Sequence, residues 1–445
     1  MTNVHPTSHN RGADLYRQAR QLIPGGTNLL SKRPERMLPE QWPVYYDKAE
    51  GNYIWDLDGR KLIDMASAGC GTCLLGAADP DVNAAVKAVI DSGSMSTLNP
   101  WEEVELAGRL CEIHPWADQV RYARCGGETD AVAVRIGRAA TGKERIAFCG
   151  YHGWHDWYLA ANLATDSALD GHLMPGLDPA GVPRSLAGTV SPFRFNHLAD
   201  LEKIVLDHGS DLGVIIMEPM RFTEPQPGFL EQVRELATRI GAVLIFDEIN
   251  IGFRHNLGGI HQTLGVEPDI VTYAKVLSNG FPMGAVVGRQ QVMDAAQDSF
   301  ISSSYFTERI GPAAALATIE KMQREKVQEK IIATGQCISQ QWDRLAHKHK
   351  IKSQVAGRPG LMSMRFEYGD QSAVMRTLYT QEMLDRGIIA AGSCYPNFTM
   401  TPAILDEFFA ALNEVFAVLA DAADKNNIQS RLRGPVAHAD FRRLT

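Results

Sequence analysis

Asp247 and Lys275 stand 28 residues apart, each at the end of a short apolar run. The first run, Ala242-Val243-Leu244-Ile245-Phe246, is too short for an ordinary helix and rich in side chains that fill a strand buried on both faces. It ends on Asp247-Glu248, and a glycine-bearing loop, Asn250-Ile251-Gly252-Phe253-Arg254, follows. The second run, Asp269-Ile270-Val271-Thr272-Tyr273-Ala274, ends on Lys275 and leads into Ser278-Asn279-Gly280-Phe281-Pro282-Met283-Gly284. In an open α/β sheet, ligands bind at the carboxyl ends of the strands. An acid and an amine placed there suit pyridoxal-phosphate chemistry. The lysine would form a Schiff base with the cofactor, and the acid would keep the pyridine nitrogen protonated so that the ring acts as an electron sink.

The ordered segments Asp247 to Arg254, Pro268-Asp269-Ile270-Val271 leading into Lys275, and Gly280-Phe281-Pro282-Met283-Gly284 resemble the class III aminotransferases. Within that family they are most similar to the branch containing glutamate-1-semialdehyde aminomutase. The match runs in order from about Leu22 into the C-terminal part of the chain. It implies an α/β fold of fold-type I: a large domain with a mostly parallel seven-stranded sheet flanked by helices, plus a smaller α/β domain. The expected division is an N-terminal segment over 1–75, a large cofactor-binding domain over 76–313, and a C-terminal small domain over 314–445.

Other expected site residues lie upstream. The strand Gln119-Val120-Arg121-Tyr122-Ala123 leads into Arg124-Cys125-Gly126-Gly127-Glu128-Thr129 and then a helical stretch. A glycine turn opening a helix presents unpaired backbone N–H groups at its positive end, which is an anion site. The family usually has Ser-Gly-Thr here; Cys125-Gly126-Gly127 lacks a hydroxyl and must rely on backbone donors. After a short strand, Arg145 to Phe148, comes Gly150-Tyr151-His152-Gly153-Trp154-His155-Asp156-Trp157. By resemblance Tyr151 stacks on the cofactor ring, which needs an aromatic face; the other aromatics and histidines read as a packed loop. Gly213 to Met217 forms a buried strand ending on Glu218-Pro219. Glu218 either serves the cofactor region or makes a salt bridge to a basic loop residue. Ile249 matches the branched residue on the cofactor's other face, and Asn250 stands where the family usually has glutamine. Thr307 matches the residue that binds the phosphate of a neighbouring subunit, which implies a homodimer with shared sites. Glu308 and Arg309 replace smaller family residues near the site mouth, where they would tune substrate choice. Near the N-terminus, the segment Thr27 to Pro34 resembles the aminomutase segment lining the substrate site. Lys32, with Arg33 beside it, falls where that branch has an arginine; one of the two would hold a substrate acid group, or the pair is simply solvated.

Local patterns fill in the remainder. A helix is expected over Ala13–Leu22, stopped by Ile23-Pro24-Gly25-Gly26. Tyr53 to Gly59 reads as a hairpin with an Asp-Gly turn. A helix follows Thr307 from Ala313 to Met322, Gly360 to Phe366 alternates like a strand, and Leu405 to Ala422 has a helical apolar pattern. Residues 1–12 read as disordered. Ala77 and Asp79 stand where the family has two histidines, taken as structural positions.

Composition bounds the partners. The chain has 445 residues, a formal net charge of −8 and 45% hydrophobic residues. An acidic balance argues against nucleic acid or anionic membrane as the main partner. Seven scattered cysteines fit reduced thiols rather than a disulfide framework, and Cys70 and Cys73 lack a second pair to complete a zinc site. With a polar N-terminus and no apolar run of membrane-spanning length, a cytoplasmic enzyme without a metal is expected. The expected reaction is transfer of an amino group from an amino donor to an aldehyde or ketone acceptor. The alternative is an intramolecular aminomutase, and a third class is a non-catalytic relative.

Overall fold

The structure is a computed structural model that describes residues 10–173, 175–220 and 223–438. The chain forms two compact units, one of Met1–Cys70, Leu74–Ala78 and Lys330–Thr445, the other of Gly71–Cys73 and Asp79–Glu329. Of the stretch expected to be disordered, residues 1–9 lie outside the described residues. Arg11 and Gly12 instead open the helix Arg11–Leu22, where the Asn10 side chain accepts from the Ala13 N–H at 2.9 Å. In the same unit β1 (Tyr46–Glu50), β2 (Tyr53–Asp56) and β3 (Lys61–Asp64) form an antiparallel meander. The Asp-Gly turn between β2 and β3 is held by Asp56 Oδ1, which accepts from the N–H groups of Asp58 and Arg60.

The large unit is built on seven strands: β4 (Gln119–Ala123), β5 (Arg145–Cys149), β6 (Val190–Pro192), β7 (Leu212–Met217), β8 (Val243–Asp247), β9 (Ile270–Tyr273) and β10 (Gly284–Gly288). Their spatial order is β4-β10-β9-β8-β7-β5-β6. Neighbours from β9 to β6 are parallel, and β10 runs antiparallel to both β4 and β9. Six strands therefore share one direction and only β10 is reversed. The central strands β7, β8, β9 and β10 are buried at every position, as continuous apolar runs require when helices cover both faces.

The chain returns to the small unit with β11 (Ser353–Arg358), β12 (Leu361–Phe366), β13 (Ile388–Ile389) and β14 (Ser393–Cys394). β13 pairs parallel with β3, while β11, β12 and β14 form a second sheet. The helices Ser372–Asp385 and Pro402–Asp424 close a core around Trp342, whose ring meets Phe416 edge-on at 4.9 Å and whose Nε1 donates to Ser353 Oγ at 3.0 Å. The change between units after the large sheet comes at Glu329/Lys330, later than the expected 313/314. The reason is packing: the helix Ile310–Arg324 lies against the helices Pro80–Ser92 and Glu102–Ile113 of the large unit. Asp79 belongs to this arrangement; it caps the helix Pro80–Ser92 and holds Lys321 Nζ at 2.7 Å. No helix of the described residues is long and apolar enough to cross a membrane.

The helix Gly126–Thr141 lies on the sheet with Val132 and Ile136 in the core beside Val214, Val243 and Ile245. Close approach depends on small residues. A Cβ on Gly137 would stand 2.8 Å from Val214 Cγ2, and one on Gly284 would overlap the Thr129 hydroxyl. Gly284→Ala should therefore lower stability by about 1–3 kcal/mol through overpacking. Gly108→Ala, at an exposed position of the helix Glu102–Ile113 with open space around it, should be neutral or raise stability by up to about 1 kcal/mol. Urea unfolding of the two variants checks the contrast.

Candidate active site

Because six strands share one direction, their carboxyl ends deliver side chains to one edge of the sheet. β4 leads to the Gly126 turn, β5 to Tyr151 and His152, β7 to Glu218, β8 to Asp247 and β9 to Lys275. Asp247 is the register partner of Thr272, three residues before Lys275, so the acid and the amine come from the ends of neighbouring strands.

Asp247 is 3% exposed and sits in a buried cluster. Its Oδ1 accepts from the Ile249 N–H at 3.0 Å and its Oδ2 from His152 Nδ1 at 2.8 Å. A carboxylate only accepts, so His152 carries its proton on Nδ1. His152 is fully buried, and its Nε2 has no hydrogen-bond partner among the described residues. Asp130, on the first turns of the helix Gly126–Thr141, completes the cluster. Its Oδ1 accepts from Thr272 Oγ1 at 2.8 Å, and one ligand atom from each of Asp130, His152 and Asp247 lies within 4.8 Å of the others. Burial first, and the neighbouring Asp247 second, push the Asp130 carboxyl well above the usual carboxylate range. The motif containing His152 was visible in the sequence, but its bond to Asp247 was not, and no sequence signal marked Asp130.

A second chain of contacts runs toward the lysine. Lys275 Nζ donates to Asn250 Oδ1, Asn250 Nδ2 donates to Glu218 Oε1 at 3.2 Å, and Glu218 Oε2 accepts from the Tyr151 N–H at 3.1 Å. Glu218 thus orients its neighbours. Gly150, with φ 124°, leaves room for it, since a Cβ there would stand 2.6 Å from Glu218 Oε2. Burial, followed by the charges of Asp130, Asp247 and Glu218, raises the Tyr151 phenol above its ordinary value. Lys275 has φ 44°, a left-handed backbone rarely adopted by a residue with a side chain.

The glycine turn has the expected form. Cys125 precedes the helix in an extended conformation and makes no side-chain cap bond. A Cβ on Gly126 would lie 3.1 Å from Ile249 Cγ2, so Ile249 packs directly over the turn. A Cβ on Gly127 would meet Gly153 Cα at 3.1 Å and His155 Nδ1 at 3.2 Å, so the loop from β5 fills the space of a larger residue.

The remaining expected residues carry local contacts. Thr307 Oγ1 donates to Ser304 O at 3.2 Å. Glu308 caps the helix Ile310–Arg324, accepting from the N–H groups of Ile310 at 2.6 Å and Gly311 at 3.2 Å. Arg309 is paired with the buried Glu102 at 2.7 Å and donates to Gly93 O at 3.1 Å. Both side chains of this last pair are thereby committed to structure. In the small unit, Lys32 is exposed at the end of the short helix Leu30–Lys32, while Arg33 is half-buried against Gly25.

A strand-end lysine, a strand-end acid, an aromatic loop and an uncapped glycine turn are the parts a pyridoxal-phosphate site needs. The fold is that of the fold-type I enzymes. The PLP internal aldimine form of the FumI protein from Sphingopyxis sp. MTA144 superposes with a TM-score of 0.84 at 24% identity, over 94% of this chain and 98% of that one. The family described as aminotransferase class-III matches residues 37–416, and the chain belongs to it. It is a pyridoxal-phosphate-dependent transaminase. The chain is 30% identical over 379 residues to the 3-aminobutyryl-CoA aminotransferase of Cloacimonas acidaminovorans, covering 83% of this chain and 87% of the relative. It is also 30% identical over 433 residues to the glutamate-1-semialdehyde 2,1-aminomutase of Ignicoccus hospitalis, covering 92% and 100%.

Deleting the His152 ring would leave a buried acceptor on Asp247 with one donor fewer. His152→Ala should lower stability by about 2–3 kcal/mol, as for a lost buried bond to a charged group. His155→Ala, at a half-buried ring, should change it by less than about 1 kcal/mol. Denaturant midpoints of the two apoproteins test this.

Proposed function

We propose that this enzyme moves an amino group from a separate amino donor to an aldehyde or ketone acceptor, with Lys275 as its central residue. The observation that carries this reading is the placement of Asp247 and Lys275 on neighbouring strand ends inside a class-III fold. Lys275 would hold the cofactor covalently through Nζ, and Asp247 would face its pyridine nitrogen. Backbone N–H groups at Gly126 and Gly127 would hold the phosphate, with Tyr151 and Ile249 on the two ring faces. Asn250 would steady the ring hydroxyl, held in turn by Glu218. When bound, the cofactor supplies an electron sink for bonds at the substrate's amine-bearing carbon. Lys275 Nζ would then act as general base and acid, taking a proton from that carbon and delivering it to the cofactor's own carbon. Of the basic pair near the N-terminus, the exposed Lys32 is proposed to meet an acidic group of the substrate, by the resemblance of its segment.

The full-length likeness to an aminomutase favours a second reading, intramolecular transfer. The replacement of that branch's arginine by Lys32, and of the family's usual hydroxyl residue by Gly127, favours a different substrate and the transferase. Incubating holoprotein with amino donors in the absence of acceptor separates them. A transferase should release about one keto acid per site and leave the amino form of the cofactor, seen as a shift in absorption. A mutase that needs no external donor should release none.

We also propose that the enzyme is a cytoplasmic homodimer. Leu98, Trp101 and Val104 are 82%, 62% and 76% exposed, and Tyr305 on the turn bearing Thr307 is 68% exposed. Arg309 ties these segments together through Glu102, Gly93 and the Ser94 carbonyl. Exposed apolar side chains gathered in this way mark a contact surface, and the implied role of Thr307 toward a neighbouring subunit's phosphate names a second copy as the occupant. No disulfide joins any of the seven cysteines, which suits a reducing compartment. In sedimentation experiments the parent should run as a dimer. Trp101→Glu with Leu98→Glu should shift it toward monomer and weaken cofactor binding by about tenfold or more, a single lost phosphate contact being worth that much.

A further inference from the structure

We propose that Asp130 is a positioning residue for the reaction, the neutral, proton-carrying half of a carboxyl pair that holds Asp247. The geometry leaves little choice. Asp130 and Asp247 are 1% and 3% exposed, and they belong to a cluster with ligand atoms within 4.8 Å. Like charges so close, away from water, do not both ionise; one carboxyl keeps a proton and shares it. The surrounding donors decide which one. Asp247 already accepts from two donors, the Ile249 N–H and His152 Nδ1, whereas Asp130 accepts from one among the described residues, Thr272 Oγ1. The better-served carboxyl keeps the charge, and the other uses its proton as a donor toward it. The titratable groups facing Asp130 are Asp247 and Glu218 on the ends of β8 and β7, and the imidazole of His152 and the phenol of Tyr151 on the loop after β5. The two carboxylates disfavour a second charge on Asp130.

The consequence is a fixed carboxylate with donors arriving from three elements: its own loop, the β5 loop and the helix that begins at the glycine turn. Thr272, on β9, anchors Asp130 from the strand that ends at Lys275. Asp130 therefore couples the aim of Asp247 to the helix whose first turn would hold the phosphate. It does not touch the reacting atoms; it acts through Asp247. This inference rests on the assignment of Asp247 to the pyridine nitrogen.

The Asn variant is the discriminating one, since its amide can donate to Asp247 and accept from Thr272 as a neutral carboxyl does. Asp130→Asn should bind pyridoxal phosphate within about threefold of the parent, and move the pH midpoint of the bound cofactor's absorption by less than about half a unit. Asp130→Ala should weaken binding and lower kcat by about tenfold to a hundredfold, the range for a lost bond to a charged group. Infrared spectra of the apoprotein add a readout independent of activity and of the Ala variant's folding. The parent should show a protonated-carboxyl C=O band at neutral pH that Asp130→Asn lacks. A band unchanged by the substitution, or an Asn variant as impaired as Ala, overturns the proposal. Asp247→Asn serves as the separate control. If it leaves the cofactor spectrum unaltered, the assignment of Asp247 itself fails; if it alters the spectrum while Asn and Ala at 130 behave alike, only the role of Asp130 falls.

Discussion

A buried carboxylate must be hydrogen-bonded or it destabilises the fold around it. Asp247 meets that requirement at the end of a fully buried strand, and much of the large unit's arrangement follows from how it is met. The β5 loop must bring His152 to one oxygen, and the backbone of Ile249 must curl back to the other. The helix Gly126–Thr141 must come close enough to seat Asp130 on Thr272, which is why the sheet beneath it is glycine at Gly284. The aim of the acid is thus set by three separate pieces of chain rather than by its own rotamer alone.

The same economy of side chains governs the anion turn and the lysine. Cys125, Gly126 and Gly127 offer backbone rather than hydroxyl donors, and Ile249 and the His155 ring pack over the two glycines. Lys275 occupies a left-handed backbone position at the first residue of the short helix Lys275–Ser278, and Asn279 closes that helix with φ 47°. Non-glycine residues hold such conformations only where the surroundings over-determine them, and such positions gather at functional sites. The Asn250 and Glu218 chain attached to Lys275 Nζ supplies part of that constraint.

The parts of this design readable from sequence are those carried by contiguous residues. The apolar runs of β5, β7, β8 and β9 each lead within two residues to a side chain that matters, so strand, end and side chain could be read together. The glycine turn and its helix were equally local, as was the Asp-Gly turn of the N-terminal hairpin. What could not be read was pairing over distance. Asp130 meets Thr272 across 142 positions, and His152 meets Asp247 across 95. Nothing in the helical stretch around Asp130 distinguishes a buried acid from a solvated one. The strand β6 was missed because three residues carry too little periodicity, and β10 because its short apolar run is bounded by Gly284 and Gly288 and reads as a loop. Glu308 and Arg309 looked available for substrate because their partners, the helix end and Glu102, are visible only after folding.

The central claim is that the cofactor is held by Lys275 on the strand next to Asp247. Reducing the holoprotein with borohydride and mapping the modified peptide by mass spectrometry tests it most directly. The account predicts a single phosphopyridoxyl group on Lys275, absent from Lys275→Ala. A label found on another lysine, or one that persists in that variant, would contradict it.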